Sequence, residues 1–213
     1  EVQGVYRISP DGKQVFLATG AIGYPNGIAF SPDEKLLYVN DTRVNKVYVH
    51  DVKADGSISE TREWVQLQGN EAGNADGMKV DSEGNVYTSG PGGIHILDPK
   101  GKLLGRIRFP NHVQVTEPVP GDTSTNGGQV VWVADNQTTD VMKFDTNGNQ
   151  LYSWHASGAV PGGFGELHQF SLDSKGNVYT GDNIIGRPQK LTPKPGADPK
   201  HLIGQSVPLM PKR

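Results

Sequence analysis

DGMKVDSEGNVYTSGP (residues 76–91) and HQFSLDSKGNVYTGDN (residues 168–183) share one frame under two different first residues, Asp76 and His168. The frame reads as two short strands around a Gly-Asn turn, and its Val-Tyr-Thr run has the β-branched and aromatic residues that suit a pleated, half-buried surface. Two further stretches fall into phase with it, NGIAFSPDEKLLYVND (residues 26–41) and GGQVVWVADN (residues 127–136), so that Tyr38, Tyr87, Trp132 and Tyr179 recur at one position. Each is followed by a second pair of strand-like runs around Asp-Gly, Lys-Gly or Asn-Gly, dipeptides that supply the positive φ of tight hairpin turns.

The repeat sets the architecture. From Asn26 to Asp76 is 50 residues, and from Asp76 to His168 is 92, close to two periods, which predicts a further unit beginning near Asp122. Residues 33–55, the longest stretch without Gly or Pro, carry no 3.6-residue apolar stripe. Four strands per period of about 40–50 residues indicate an all-β chain folded as a β-propeller. Residues 1–213 read as a single propeller domain holding four and a half four-stranded units, the half being GVYRISPDGKQVFLATG at residues 4–20. Open sheet edges invite association. The expectation is therefore that five blades close with help from the SVPLMPKR end, that N-terminal blades are missing, or that a partner chain completes the ring.

In a propeller the first residue of each innermost strand faces the channel mouth, while the frame behind it packs blade on blade. Asn26, Asp76 and His168 are thus candidate site residues, with Asp122 a fourth that would contact substrate. Asp33, Asp81 and Asp173 follow the inner strands and read as turn acceptors. The recurring Tyr and Trp residues read as wedges between blades. His50, His95, His112, His155 and His201 read as surface or packing residues of outer strands and loops, and KLTPKPGADPK (residues 190–200) as an exposed outer hairpin.

Bulk properties exclude several functions. The formal charge of -3, from 20 Lys and Arg against 23 Asp and Glu, comes without the basic run that nucleic acid requires. With no cysteine there is no disulfide, thiolate nucleophile or Cys-ligated zinc. No apolar run approaches the roughly 18 residues of a membrane span. A Gly-x-Ser-x-Gly nucleophile motif is absent, which disfavours covalent acyl transfer. The chain starts at Glu1 with no charged-then-apolar leader and reads as a processed product, a fragment or a trimmed chain. The compartment is not fixed by these features, and a soluble protein, periplasmic or secreted before cytoplasmic, is the expectation.

YPNGIAFSPDEKLLYVNDT (residues 24–42) and NADGMKVDSEGNVYTSGPGGIHILDPKGKLLGRIRFP (residues 74–110) resemble the senescence marker protein, gluconolactonase and luciferin-regenerating family. The resemblance implies a six-bladed propeller with a divalent cation in its channel. It places metal-ligand roles on Asn26 and Asp76, with Asp76 also the base. From about residue 111 the chain is more similar to NHL-type repeats, as in VVWVADNQTTDVMKFDTNGNQLYSW (residues 130–154), and His168 stands where a zinc-binding His of the amidating lyase would.

An amide carbonyl and a carboxylate suit Ca²⁺, whereas a His in the same shell shifts the preference toward Zn²⁺ or Mn²⁺. The expected cofactor is one divalent ion, held by Asn26, Asp76 and His168. The expected function is metal-dependent hydrolysis of a lactone or similar small ester, with Asp76 taking the proton from the attacking water. The alternative is a non-catalytic NHL-type propeller that binds a peptide, protein or sugar.

Overall fold

The computed structural model describes residues 3–107, 110–135, 138–155 and 157–205. Every sheet is an antiparallel meander, in which each strand turns back on its predecessor. The first holds β1 (Val5–Ile8) and β2 (Val15–Thr19). Four strands follow, β3 (Pro25–Phe30), β4 (Leu36–Asp41), β5 (Lys46–Asp51) and β6 (Arg62–Gln66). Next come β7 (Met78–Val80), β8 (Val86–Gly90), β9 (Gly93–Leu97) and β10 (Leu103–Ile107). A further four-stranded sheet holds β11 (Pro110–Thr116), β12 (Val130–Asp135), β13 (Asp140–Asp145) and β14 (Gln150–His155). The last has three strands, β15 (Leu167–Leu172), β16 (Val178–Asp182) and β17 (Pro188–Leu191). These are blades of a β-propeller, one two-stranded and four fuller ones. The only helical element among the described residues is a 3₁₀ turn at Pro199–His201, capped by the Asp198 carboxylate.

The chain divides near Leu103 into two compact units. In the first, β4 is buried on both faces and its residues alternate between two cores. Leu37 and Val39 pack with Ile22 and with Val5 of β1. Tyr38 points the other way, joining Ala29, Val47, Met78 and Val86 and meeting Trp64 at a ring-centroid distance of 4.8 Å. In the second unit Trp132, Ala134, Val141, Leu167, Phe170 and Val178 form one core between the β11–β14 and β15–β17 sheets.

The turn reading of the carboxylates holds. Asp33 accepts from Ser31 and from the Lys35 amide, and Asp81 takes the Asn85 backbone and side chain and the Tyr87 hydroxyl. Asp173 repeats the Asp81 pattern with Asn177 and Tyr179. Tyr38, Tyr87 and Trp132 are wedges, 2%, 0% and 0% exposed. Tyr179 departs from them at 40% exposed, because it lies on the face of the last sheet turned away from the core around Trp132.

Three other expectations are corrected. The unit predicted to begin near Asp122 begins at Pro110, because β11 is built from NHVQVT, whose Val113 and Val115 are buried. Asp122 instead lies in the Pro- and Gly-containing loop between β11 and β12. His112 consequently sits on the first strand of its sheet, edge-on to Phe170 with ring centroids 4.8 Å apart. Residues 190–200 form no hairpin. β17 ends at Leu191, and prolines at 193, 195 and 199 deny a following strand its amide donors.

Candidate functional site

Two of the four sequence-derived site residues, Asn26 and Asp76, lie in the first unit, and the strand periodicity of β4 brings their backbones together. Continuing along the face that carries Tyr38, Asn40 and then Thr42 point toward the β7–β10 sheet. Asn40 is fully buried. Its Oδ1 accepts the Gly27 amide at 2.8 Å, while its Nδ2 donates to the Asp76 carbonyl at 2.7 Å and to Thr88 Oγ1 at 3.1 Å. The Asp76 amide in turn donates to Ser89 Oγ at 2.8 Å, so both backbone polar groups of Asp76 are held by side chains from neighbouring strands. Gly27 lies so close to the Asp76 carbonyl that a side chain there has no room.

The side chains of both residues are exposed. Asn26 Nδ2 donates to Thr42 Oγ1 at 3.1 Å. Neither Asn26 Oδ1 nor the Asp76 carboxylate has a hydrogen bond or ion pair among the described residues. On the same rim, Arg43 stacks its guanidinium over Tyr24, 4.7 Å from the ring centroid. Asp41, beside it, is buried, and its carboxylate accepts the Tyr24 and Arg43 amides.

Asp122 and His168 belong to the second unit. The Asp122 carboxylate is buried and paired with the ammonium of Lys143, which is 0% exposed. All three ammonium protons are satisfied, by Asp122, by Ser124 Oγ at 2.9 Å and by the Lys200 carbonyl at 2.9 Å. Burial alone would raise the Asp122 pKa, but the bonds from Lys143 and Ser124 outweigh it and hold the carboxyl below its usual range. Lys143 thus fastens both the Asp122 loop and the 3₁₀ turn to β13. His168 is half-buried at the start of β15, where the register shifts between Leu167 and Gln169.

One position escaped the sequence reading. Pro25 pairs with Asp41, and Pro110 pairs with Asp135, each followed by a register shift. Asn111 therefore stands in its sheet where Asn26 stands in its own. The signal was in the sequence as the repeated pair Pro-Asn in YPNG and FPNH, masked by the assumed start near Asp122.

As a cation site, Asn26 and Asp76 supply an amide oxygen and a carboxylate, the hard donors that Ca²⁺ or Mg²⁺ prefers, both with oxygens left free. Among the described residues no group of three His, Asp or Glu side chains forms a cluster of its own that could hold an ion. The pair fits as part of a coordination shell. No described helix is long and apolar enough to cross a membrane.

Comparisons with known proteins give the family to which these strands belong. Gluconolactonase from Zymomonas mobilis is 38% identical over 112 residues, covering 49% of this chain and 31% of that protein. Lactonase drp35 from Staphylococcus saprophyticus is 28% identical over 171 residues, covering 71% and 50%. An X-ray structure provisionally identified as a gluconolactonase superposes with a TM-score of 0.51 at 27% identity, over 71% of this chain and 49% of that one. The chain thus spans half or less of the length of these relatives. The family model ends at residue 127, while the likeness to lactonase drp35, over 71% of the chain, extends past it. The model of the SMP-30/Gluconolactonase/LRE-like region matches residues 1–127, which contain both Asn26 and Asp76, and the chain belongs to that family.

Proposed function

We infer that this protein is a metal-dependent hydrolase of a lactone or similar small ester, with its site at the heads of β3 and β7. The observation that carries this reading is the joining of Asn26 and Asp76 through Asn40 and Thr42, with their ligand oxygens left free. The relatives named lactonases support the substrate class. Asn26 Oδ1 and Asp76 would hold one divalent ion, Ca²⁺ by donor chemistry. When bound, that ion supplies positive charge against the carbonyl oxygen of the substrate.

Asp76 takes a proton from water as the water oxygen bonds to the carbonyl carbon. The ring C–O bond then breaks, and the ring oxygen leaves as a hydroxyl carrying a proton returned through Asp76, giving a hydroxy acid.

The test is lactone hydrolysis with added Ca²⁺, Mn²⁺ or Zn²⁺. Asp76→Asn keeps a neutral oxygen and the backbone bonds to Asn40 and Ser89 but removes the proton acceptor. The turnover number should fall by about 10²–10⁴ with thermal stability unchanged. Wild-type protein inactive on sugar and aliphatic lactones with every ion, or an Asp76→Asn variant as active as wild type, refutes the hydrolase. A propeller that only binds a peptide, protein or sugar then becomes the better account.

A further inference from the structure

Thr42 follows β4 and its hydroxyl touches both halves of the site. It donates to the Ala75 carbonyl at 2.7 Å, the residue before Asp76, and lies 3.1 Å from Asn26 Nδ2. A hydroxyl carries one proton. Because the Ala75 carbonyl can only accept, that proton is directed there, and toward Asn26 the Thr42 oxygen can only accept. The Asn26 amide must therefore present its NH₂ to Thr42, which leaves Oδ1 turned to the open side. One side chain both sets the orientation of the Asn26 amide and ties β4 to the backbone beside Asp76.

We propose that Thr42 is a positioning residue for a divalent cation, acting through the Asn26 amide and the Ala75 carbonyl without touching the ion. This rests on the cation-site reading above and adds to it the residue that makes Asn26 a ligand. Partners that orient a metal ligand typically contribute about 10–100-fold to metal affinity. Thr42→Val keeps the shape and removes the hydroxyl, while Thr42→Ser restores it without the methyl group.

The experiment has two readouts on the full chain. With selective ¹⁵N-asparagine labelling, the Asn26 side-chain NH₂ should show a hydrogen-bonded proton in wild type and in Thr42→Ser, and faster exchange with water in Thr42→Val. Calorimetric titration with Mn²⁺ alone should show binding about 10–100-fold weaker in Thr42→Val and near wild type in Thr42→Ser. Thr42→Ala repeats both measurements should the valine variant fold poorly. An Asn26 amide unchanged in the variants without the hydroxyl, or Mn²⁺ affinity unchanged despite a released amide, overturns the proposal. So does a serine variant as weak as valine, since the methyl group would then be what matters. If wild type binds no Mn²⁺, the cation reading falls, and with it the role of Thr42 toward an ion, while the amide readout separately reports whether Thr42 orients Asn26.

Discussion

Gly27 and Gly77 follow the two candidate ligands in matching motifs, Asn-Gly and Asp-Gly, yet the structure predicts opposite responses to alanine. A Cβ at position 27 would overlap the Asp76 carbonyl oxygen and approach Asn40 Nδ2 to 2.7 Å and Asn40 Cγ to 3.2 Å. Neither neighbour can yield. The carbonyl is backbone, and Asn40 is fully buried with three hydrogen bonds. Relief requires β3 and β7 to separate, which breaks the Gly27–Asn40 and Asn40–Asp76 bonds. Two buried bonds left unmade cost about 1–3 kcal/mol each, and overpacking adds about 1–3 kcal/mol. Gly27→Ala should therefore lose at least about 3 kcal/mol, a large share of the roughly 5–15 kcal/mol that holds a typical domain folded.

At position 77 a Cβ meets nothing within 4 Å, and the backbone there is outside the left-handed region. Gly77→Ala should be neutral or stabilise by up to about 1 kcal/mol, by restricting the unfolded chain. Urea unfolding followed by tryptophan fluorescence compares the two. At about 2–4 °C per kcal/mol for a chain of this size, Tm should drop by at least about 6 °C for Gly27→Ala and hold or rise for Gly77→Ala. A Gly27→Ala variant within about 1 kcal/mol of wild type would refute the close contact of β3 with β7.

Lys143→Met should destabilise the chain by about 3–5 kcal/mol in urea unfolding, because it leaves the Asp122 carboxylate buried without its cation. The Asp173 carboxyl, held down to about 2 chiefly by the Asn177 side-chain amide, should titrate near that value by NMR, and Asn177→Ala should move it toward 3.8. A carboxyl with a lowered folded pKa favours folding above its unfolded value, so the contribution of this turn is present above about pH 4 and disappears as pH falls through about 2. A midpoint near 3.8 in wild type would contradict the turn geometry.

What could be read from the sequence was local. The Gly-Asn turns, the Asp acceptors and the buried Tyr and Trp residues depend on neighbours within a few positions, and they gave the blade pattern directly. The heads Asn26 and Asp76 were found from their motifs, but not the groups that hold them. Asn40 and Asp76 are 36 residues apart, as Thr42 and Ala75 are 33, and no periodicity links them until β4 is laid beside β7. The start near Asp122 failed for a related reason. An even period does not hold in a chain whose β11–β12 loop is long, and the alternation of NHVQVT is too short to mark a strand by itself. Asp122 had the right residue type and nearly the right spacing. Its partner Lys143, two strands away, decides its role.

The double-sided burial of β4 bears on how such a chain can change over generations. Its Leu37 and Val39 match one neighbouring sheet, while Tyr38, Asn40 and Thr42 match the other, so this blade carries two unlike surfaces fitted to specific companions. Duplicating or deleting a blade joins surfaces that never selected one another, and the mismatch extends past the apolar residues to the polar end of the strand. Single substitutions in the exposed turns cost little by comparison. Descent in this lineage should therefore keep the order of its blades long after their loops have diverged.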